Sequence, residues 1–163
     1  MKFIALGSNL ASAHGRPVEN LRVALRELSA RGFEIIQRAP LYITTPVPKS
    51  DQPDFVNTVV QVEFSGTPEV ALKSCLDIET AMGRVRMERN AARMIDLDVI
   101  AWDDITQSGP PELPHPRMQE RAFVMFPLND IAPEWRHPVL QLTAIEIKSR
   151  LSNSGIRLSE EQW

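Results

Sequence analysis

The order of hydrophobic patterns predicts an α+β fold in which four strands and two helices share one sheet. Three observations carry it: four short runs of β-branched and apolar residues, two longer segments with apolar residues at helical spacing, and proline or glycine at the joints. Phe3 to Gly7 is an apolar run ending in Gly-Ser-Asn, a buried strand and then a turn. Pro17 suits a first helical position; Val18, Leu21, Leu25 and Leu28 follow on one stripe, with Glu19, Arg22 and Arg26 off it, and Gly32 supplies the stop. Phe33 to Thr44 reads as a second strand, bent near Pro40. In Phe55 to Phe64, Val56, Thr58, Val60 and Val62 alternate with Asn57, Val59, Gln61 and Glu63, the period of a third strand. Thr67-Pro68-Glu69 opens a second helix, with Leu72, Cys75, Leu76, Glu79 and Met82 on one face and Gly83 at its end. Met94 to Trp102 is the fourth strand.

This β-α-β-β-α-β order is that of a ferredoxin-like sheet with helices packed on one face. From about Asp103 onward, extra C-terminal loops and short helices are expected, one of them over about residues 142–151. Without repeats, low-complexity tracts or a composition break, residues 1–163 read as a single domain.

A chain of 163 residues, 43% hydrophobic and 24% charged, buries its own core without a disulfide or metal staple. The single cysteine, Cys75, excludes an internal disulfide and, inside an apolar pattern, reads as a buried structural thiol. No apolar run approaches the ~18 residues of a membrane helix. The stretch from Met1 to Gly7 is too short for a signal peptide, so a soluble, cytoplasmic protein with no membrane partner is expected. A net charge of −3 with pI ≈ 5.6 argues against a nucleic-acid partner. Thirteen prolines stand against seven glycines. Pro46, Pro48 and Pro53 fall between the second and third strands, and Pro110, Pro111, Pro114 and Pro116 crowd the loop after the fourth. Each restricts its own backbone and its predecessor's, giving stiffened loops suited either to binding or to resisting edge pairing.

Asp96-Leu97-Asp98 lies inside the fourth strand. Residues i and i+2 of a strand share a face, so Ile95, Leu97 and Val99 point one way and the two carboxylates the other. Like charges so placed repel unless a cation or arginines stand between them. Mg²⁺ prefers carboxylate oxygens and often takes only one or two from protein. Upstream, residues 83–93 hold Arg84, Arg86, Arg89 and Arg93 against one acid, a basic island in an acidic chain. Arginines leading into paired carboxylates form a clamp for a metal–triphosphate; equally, they neutralise the same aspartates on a solvated strand. No P-loop sequence is present. His115 sits between Pro114 and Pro116, with Arg117 and Arg121 nearby. Taken alone, Phe55 and Phe123 read as core residues.

These segments together resemble the 6-hydroxymethyl-7,8-dihydropterin pyrophosphokinase family. The resemblance rests on residues 89–100, Arg-Asn-Ala-Ala-Arg-Met-Ile-Asp-Leu-Asp-Val-Ile. It extends to Gly7-Ser8-Asn9-Leu10, Tyr42 to Pro46, residues 51–57, Gly83-Arg84-Val85-Arg86, Pro114-His115-Pro116 and Arg121-Ala122-Phe123, in the family's order over about residues 3–135. It implies ATP-dependent transfer of a pyrophosphoryl group to the pterin hydroxymethyl, a step in folate biosynthesis. Asp96 and Asp98 then match the ligands of two Mg²⁺ ions. Arg84, Arg93, His115 and Arg121 match triphosphate-contacting groups, with Arg86 in the same nucleotide-binding segment. Glu79 matches an acid near the nucleotide. Phe55 and Phe123 match the rings that sandwich the pterin, Asn57 the group that reads its polar edge, and Thr44 and the backbone near Val47 the rest of that pocket.

The resemblance makes small molecules the partners, with a monomer expected. Asn90-Ala91-Ala92 departs from the family, where an aromatic residue followed by Gly-Pro is common. Two rival readings are a nucleic-acid-binding module of the same topology, disfavoured by Val59, Val60 and Gln61 on the central strand, and a phosphoryl transferase with another acceptor.

Overall fold

The computed structural model describes residues 1–83 and 92–163. Six antiparallel strands form one sheet: β1 (Lys2–Ser8), β2 (Glu34–Arg38), β3 (Tyr42–Thr44), β4 (Phe55–Glu63), β5 (Asp96–Trp102) and β6 (Ile156–Leu158). Their order is β5-β1-β4-β3-β6, and β2 also pairs with β4. The α-helices among the described residues are α1 (Pro17–Ala30), α2 (Pro68–Ala81), α3 (Ala122–Ile131) and α4 (Ala144–Lys148). The first five strands with α1 and α2 make the ferredoxin-like arrangement.

The single strand expected over 33–44 is two strands, β2 and β3, on the same edge of β4. The break is at Ala39-Pro40-Leu41, where proline has no N–H to give the ladder. The face of α1 and α2 carries the larger core, in which Val18, Leu21, Leu25 and Leu28 of α1 meet Ile4, Leu6, Val60, Leu97 and Val99 of the sheet. Cys75 lies fully buried there, and burial pushes its thiol up to about 12, which fits a structural role.

Helices do not stay on one face. A second core, with Phe3, Val59 and Ile100 from the sheet and Met118, Val124, Met125, Leu128, Trp135 and Ile147 beneath it, packs α3 and α4 on the opposite side. Two elements here escape sequence periodicity. α3 carries Pro127 in its interior, which removes one helical hydrogen bond and masks the pattern. β6 is three residues long, with two of them exposed. The expected helix over 142–151 is the shorter α4, started by a capping box: Thr143 accepts from the Glu146 N–H, and Glu146 from the Thr143 N–H. Among the described residues no helix is long and apolar enough to cross a membrane.

Candidate active site

Strand register brings the site together. Gly7 in β1 lies opposite Asp96 in β5 on one side and Asn57 in β4 on the other. Ala5 lies likewise between Asp98 and Val59. Directly opposed residues of antiparallel strands share a face, so Asp96 and Asp98 stand on one side of a lane of small residues and Asn57 on the other. The lane floors a cavity of about 830 Å³ on the α3 side of the sheet. Gly7 is required: a Cβ there would come 2.6 Å from Asn57 Oδ1.

The first wall is charged. Ile95, Leu97 and Val99 are buried in the larger core while Asp96 and Asp98 face the cavity, as strand alternation dictates. The Arg93 guanidinium binds Asp96 Oδ2 at 2.6 Å. Asp98 is pushed up to about 7, by burial first and next by the charge of Asp96; Arg121 and Arg93 pull it the other way.

His115 and Arg121 close this wall from the loop after β5. The backbone N–H of His115 reaches Ile100 O at 2.9 Å, which ties the loop to β5. His115 Nδ1 accepts the backbone N–H of Arg117 at 3.2 Å, so the neutral ring carries its proton on Nε2. Burial, and then the charge of Arg121, lower this histidine to about 4 and keep it neutral at physiological pH. Burial also lowers Arg121, against the opposing pull of Asp98, and its guanidinium lies 5.5 Å from the Phe123 ring centroid.

The second wall is uncharged. Phe55, Thr44, Val47 and Asn57 line it, while Phe123 lines the cavity from α3 beside Arg121. Asn57 Nδ2 donates to Thr44 Oγ1 at 2.6 Å, which turns the amide oxygen toward the floor above Gly7. Asn57 and Thr44 are both buried, so this amide is oriented before any ligand arrives.

Ten of the thirteen residues singled out in the sequence therefore line one cavity: Arg93, Asp96, Asp98, His115, Arg121, Thr44, Val47, Phe55, Asn57 and Phe123. Arg84 and Arg86 lie outside the described residues, as does most of the Asn90-Ala91-Ala92 segment. Glu79 is placed differently from the others. It is buried on α2, and its Oε1 accepts the backbone N–H of Leu97 at 2.7 Å, between the two aspartates. It acts on the site through the strand that carries them.

Sequence reasoning took Gly7 and Asn9 only as members of a family-like motif and assigned no role to Ala5 or to a polar knot at the end of β1. Asn9 Oδ1 accepts the Arg93 N–H at 2.7 Å, and Asn9 Nδ2 donates to Gln52 Oε1 and Pro53 O. Asn20, buried on α1, donates to Leu10 O and Met94 O. The knot joins the base of the Arg93 segment to the proline loop after β3. Its sequence signals were Asn9 in Gly7-Ser8-Asn9-Leu10 and Gln52-Pro53 in the segment 51–57; Asn20 carried none beyond being a polar residue beside an apolar helical stripe.

The residues fit a divalent cation. Two carboxylates on one strand face, one of them carrying an unfavourable like charge beside it, are the oxygen donors that Mg²⁺ takes when substrate and water complete its shell. The described residues contain no group of three or more His, Cys, Asp or Glu that would hold a metal unaided.

Residues 3–133 match the family model of 7,8-dihydro-6-hydroxymethylpterin-pyrophosphokinase. The chain is 37% identical over 160 residues to the 2-amino-4-hydroxy-6-hydroxymethyldihydropteridine pyrophosphokinase of Methylorubrum extorquens, covering 97% of this chain and 98% of that one. It is 34% identical over 158 residues to the folic acid synthesis protein of Schizosaccharomyces pombe, covering 96% of this chain and only 21% of that protein. The chain thus spans about a fifth of that longer relative. Among solved structures, wild-type Plasmodium falciparum HPPK-DHPS superposes with a TM-score of 0.69 at 15% identity, covering 91% of this chain and 44% of that one, a likeness of fold. On the strength of the matched residues and the full-length bacterial relative, the chain belongs to the 7,8-dihydro-6-hydroxymethylpterin-pyrophosphokinase family.

Proposed function

We propose that this chain transfers a pyrophosphoryl group from ATP to the hydroxymethyl oxygen of 6-hydroxymethyl-7,8-dihydropterin, giving AMP and the pterin diphosphate in folate biosynthesis. The observation that supports it best is the junction across Gly7. A carboxylate pair with cationic neighbours and a pre-oriented amide flanked by two rings share one cavity, a single strand apart.

In this reading the pterin ring lies between Phe55 and Phe123, and Asn57 exchanges hydrogen bonds with its polar edge. The planar base is thereby fixed with its hydroxymethyl arm directed across Gly7 toward the aspartates. The hydroxymethyl oxygen attacks the β-phosphorus, the bond from that phosphorus to the α,β-bridging oxygen breaks, and AMP leaves with the bridging oxygen. The hydroxyl proton passes to solvent.

Asp96 and Asp98 would hold the Mg²⁺, two ions in this reading, and the metal would supply neutralisation of phosphate charge and a lowered pKa for the attacking hydroxyl. Arg93 and Arg121 supply fixed positive charge as negative charge shifts toward the leaving AMP. Arg93, held at the site by its ion pair with Asp96, would contact a phosphate oxygen. Neutral His115 donates from Nε2 to a phosphate oxygen. Arg84 and Arg86 join the same phosphate clamp on the strength of their place in the sequence. Glu79 keeps Leu97, and with it the spacing of the two aspartates, in place.

In this reading residues 1–163 work as one domain, as a monomer in the cytoplasm, on small-molecule substrates. With ATP, Mg²⁺ and the hydroxymethyl-dihydropterin, chromatography is expected to find AMP and a pterin diphosphate in equal amounts. Formation of ADP, or turnover independent of the pterin, would overturn the reading.

A further inference from the structure

Residues 151–163 contain no residue singled out for chemistry and lie beyond the segment that matches the family model. They nevertheless build part of the cavity. Leu151, Ser152, Ser154, Gly155 and Ile156 line it on the side of the uncharged wall. β6 then pairs with β3 and no other strand, placing Ile156 opposite Thr44 and Leu158 opposite Tyr42. One residue beyond the ladder, the Thr45 N–H donates to Gly155 O at 2.9 Å. Gly155 has φ +74°, and a Cβ there would collide with Thr45 Oγ1, so the backbone approach needs glycine twice over.

The segment continues along the break between β2 and β3. Pro40 leaves Leu41 without strand partners on that side. Gln162 substitutes for a strand there: its Oε1 accepts the Leu41 N–H at 2.8 Å, and its Nε2 donates to Leu41 O at 3.3 Å. The Ser159 N–H also reaches Leu41 O, at 2.8 Å. Trp163 Nε1 donates to Ala39 O at 2.8 Å, its ring packs against the larger core, and Arg38 lies over its face. Both ends of the break are thus held from a segment more than 100 residues away.

We propose that residues 151–163 form a strap that positions the uncharged wall. It sets β3, β3 presents Thr44, and Thr44 orients the Asn57 amide. No contact in this chain of contacts reaches Asp96, Asp98 or His115. Gly155 and Gln162 are accordingly positioning residues for the pterin substrate and not for ATP. This inference rests on the pyrophosphokinase reading above.

The test uses Gly155→Ala and Gln162→Ala in the full chain, with steady-state kinetics in both substrates and direct calorimetric binding of the hydroxymethyl-pterin. Each variant is expected to raise the KM and Kd for the pterin about tenfold, with the KM for ATP and the kcat at saturation within about twofold of the parent. A merely structural defect would lower the active fraction and hence kcat, with both KM values unmoved. That result, a parallel rise in both KM values, or unchanged pterin binding in both variants overturns the strap. A parent that binds the pterin without turning it over overturns the assigned reaction, while the binding comparison still decides the strap. A parent that does not bind the pterin overturns both.

Discussion

The two walls of the cavity are built on opposite principles. The wall of β5 gathers like charges: Asp96 and Asp98 share a face, burial and mutual repulsion push Asp98 up, and Arg93 and Arg121 offset this only partly. The wall of β3 and β4 has no charge, and its polar groups satisfy each other, Asn57 through Thr44. The first holds a repulsion that burial sharpens; the second has its hydrogen bond already made. A single protein can therefore keep one half of its site strained and the other relaxed, provided that small residues separate them. Gly7 and Ala5 do so.

The comparison is broken most directly at Asp98. Asp98→Ala is expected to lower turnover by about 10³-fold or more, since the cation loses a ligand where charge develops, while pterin affinity stays within about threefold of the parent. Rapid-quench kinetics and calorimetry separate the two effects. Parallel losses in turnover, binding and stability would make the pair merely structural.

Asn57→Ala attacks the relaxed wall. It leaves the donors and acceptors of a bound pterin without partners and removes no charge, so the pterin KM is expected to rise about 10–100-fold with the ATP KM unchanged. A variant affecting the two substrates equally would show that the walls are not independent.

The smallest effect is on stability and has an unusual sign. Asp98 titrates near 7 in the folded protein, against 3.8 as its ordinary value. The unfolded chain therefore sheds this proton first as pH rises, and metal-free protein loses stability between about pH 4 and pH 7. His115, lowered to about 4, works in the opposite direction over the same interval, losing stability as pH falls below its ordinary 6.5. Asp98→Asn removes only the first contribution. Without Mg²⁺ at pH 8 it is expected to melt a few degrees higher than the parent, with the difference shrinking toward pH 4. A lower melting temperature at pH 8 would mean that the wall is not strained.

Much of this was legible in the sequence where a short period suffices. Asp96 and Asp98, and likewise Phe55 and Asn57, stand two apart on strands, so their shared faces follow from alternation alone. The bend at Pro40 followed from the missing N–H. What was not legible depends on distant partners. The amide of Gln162 meets Leu41 across 121 residues, and Gly7 is explained only by the Asn57 oxygen beside it. α3 was hidden because Pro127 punctuates it, and its burial against Val59 and Ile100 supplies what its local pattern lacks. Glu79 was visible as an acid on an apolar face, yet its contact with the Leu97 backbone N–H is one that sequence patterns do not display.

That contact has a consequence for the molecule as a solute. Among the described residues β5 ends the sheet, with β1 as its strand neighbour. An outermost strand offers backbone donors that another polypeptide can capture, and a flat apolar one seeds aggregation. Here the Leu97 donor is already taken by a buried carboxylate from α2. The strand that carries the two aspartates is thereby denied to an intruding strand at the point where an added ladder would do most harm. The Glu79 oxygen that holds Leu97 between the two aspartates thus also occupies a donor of the outermost strand.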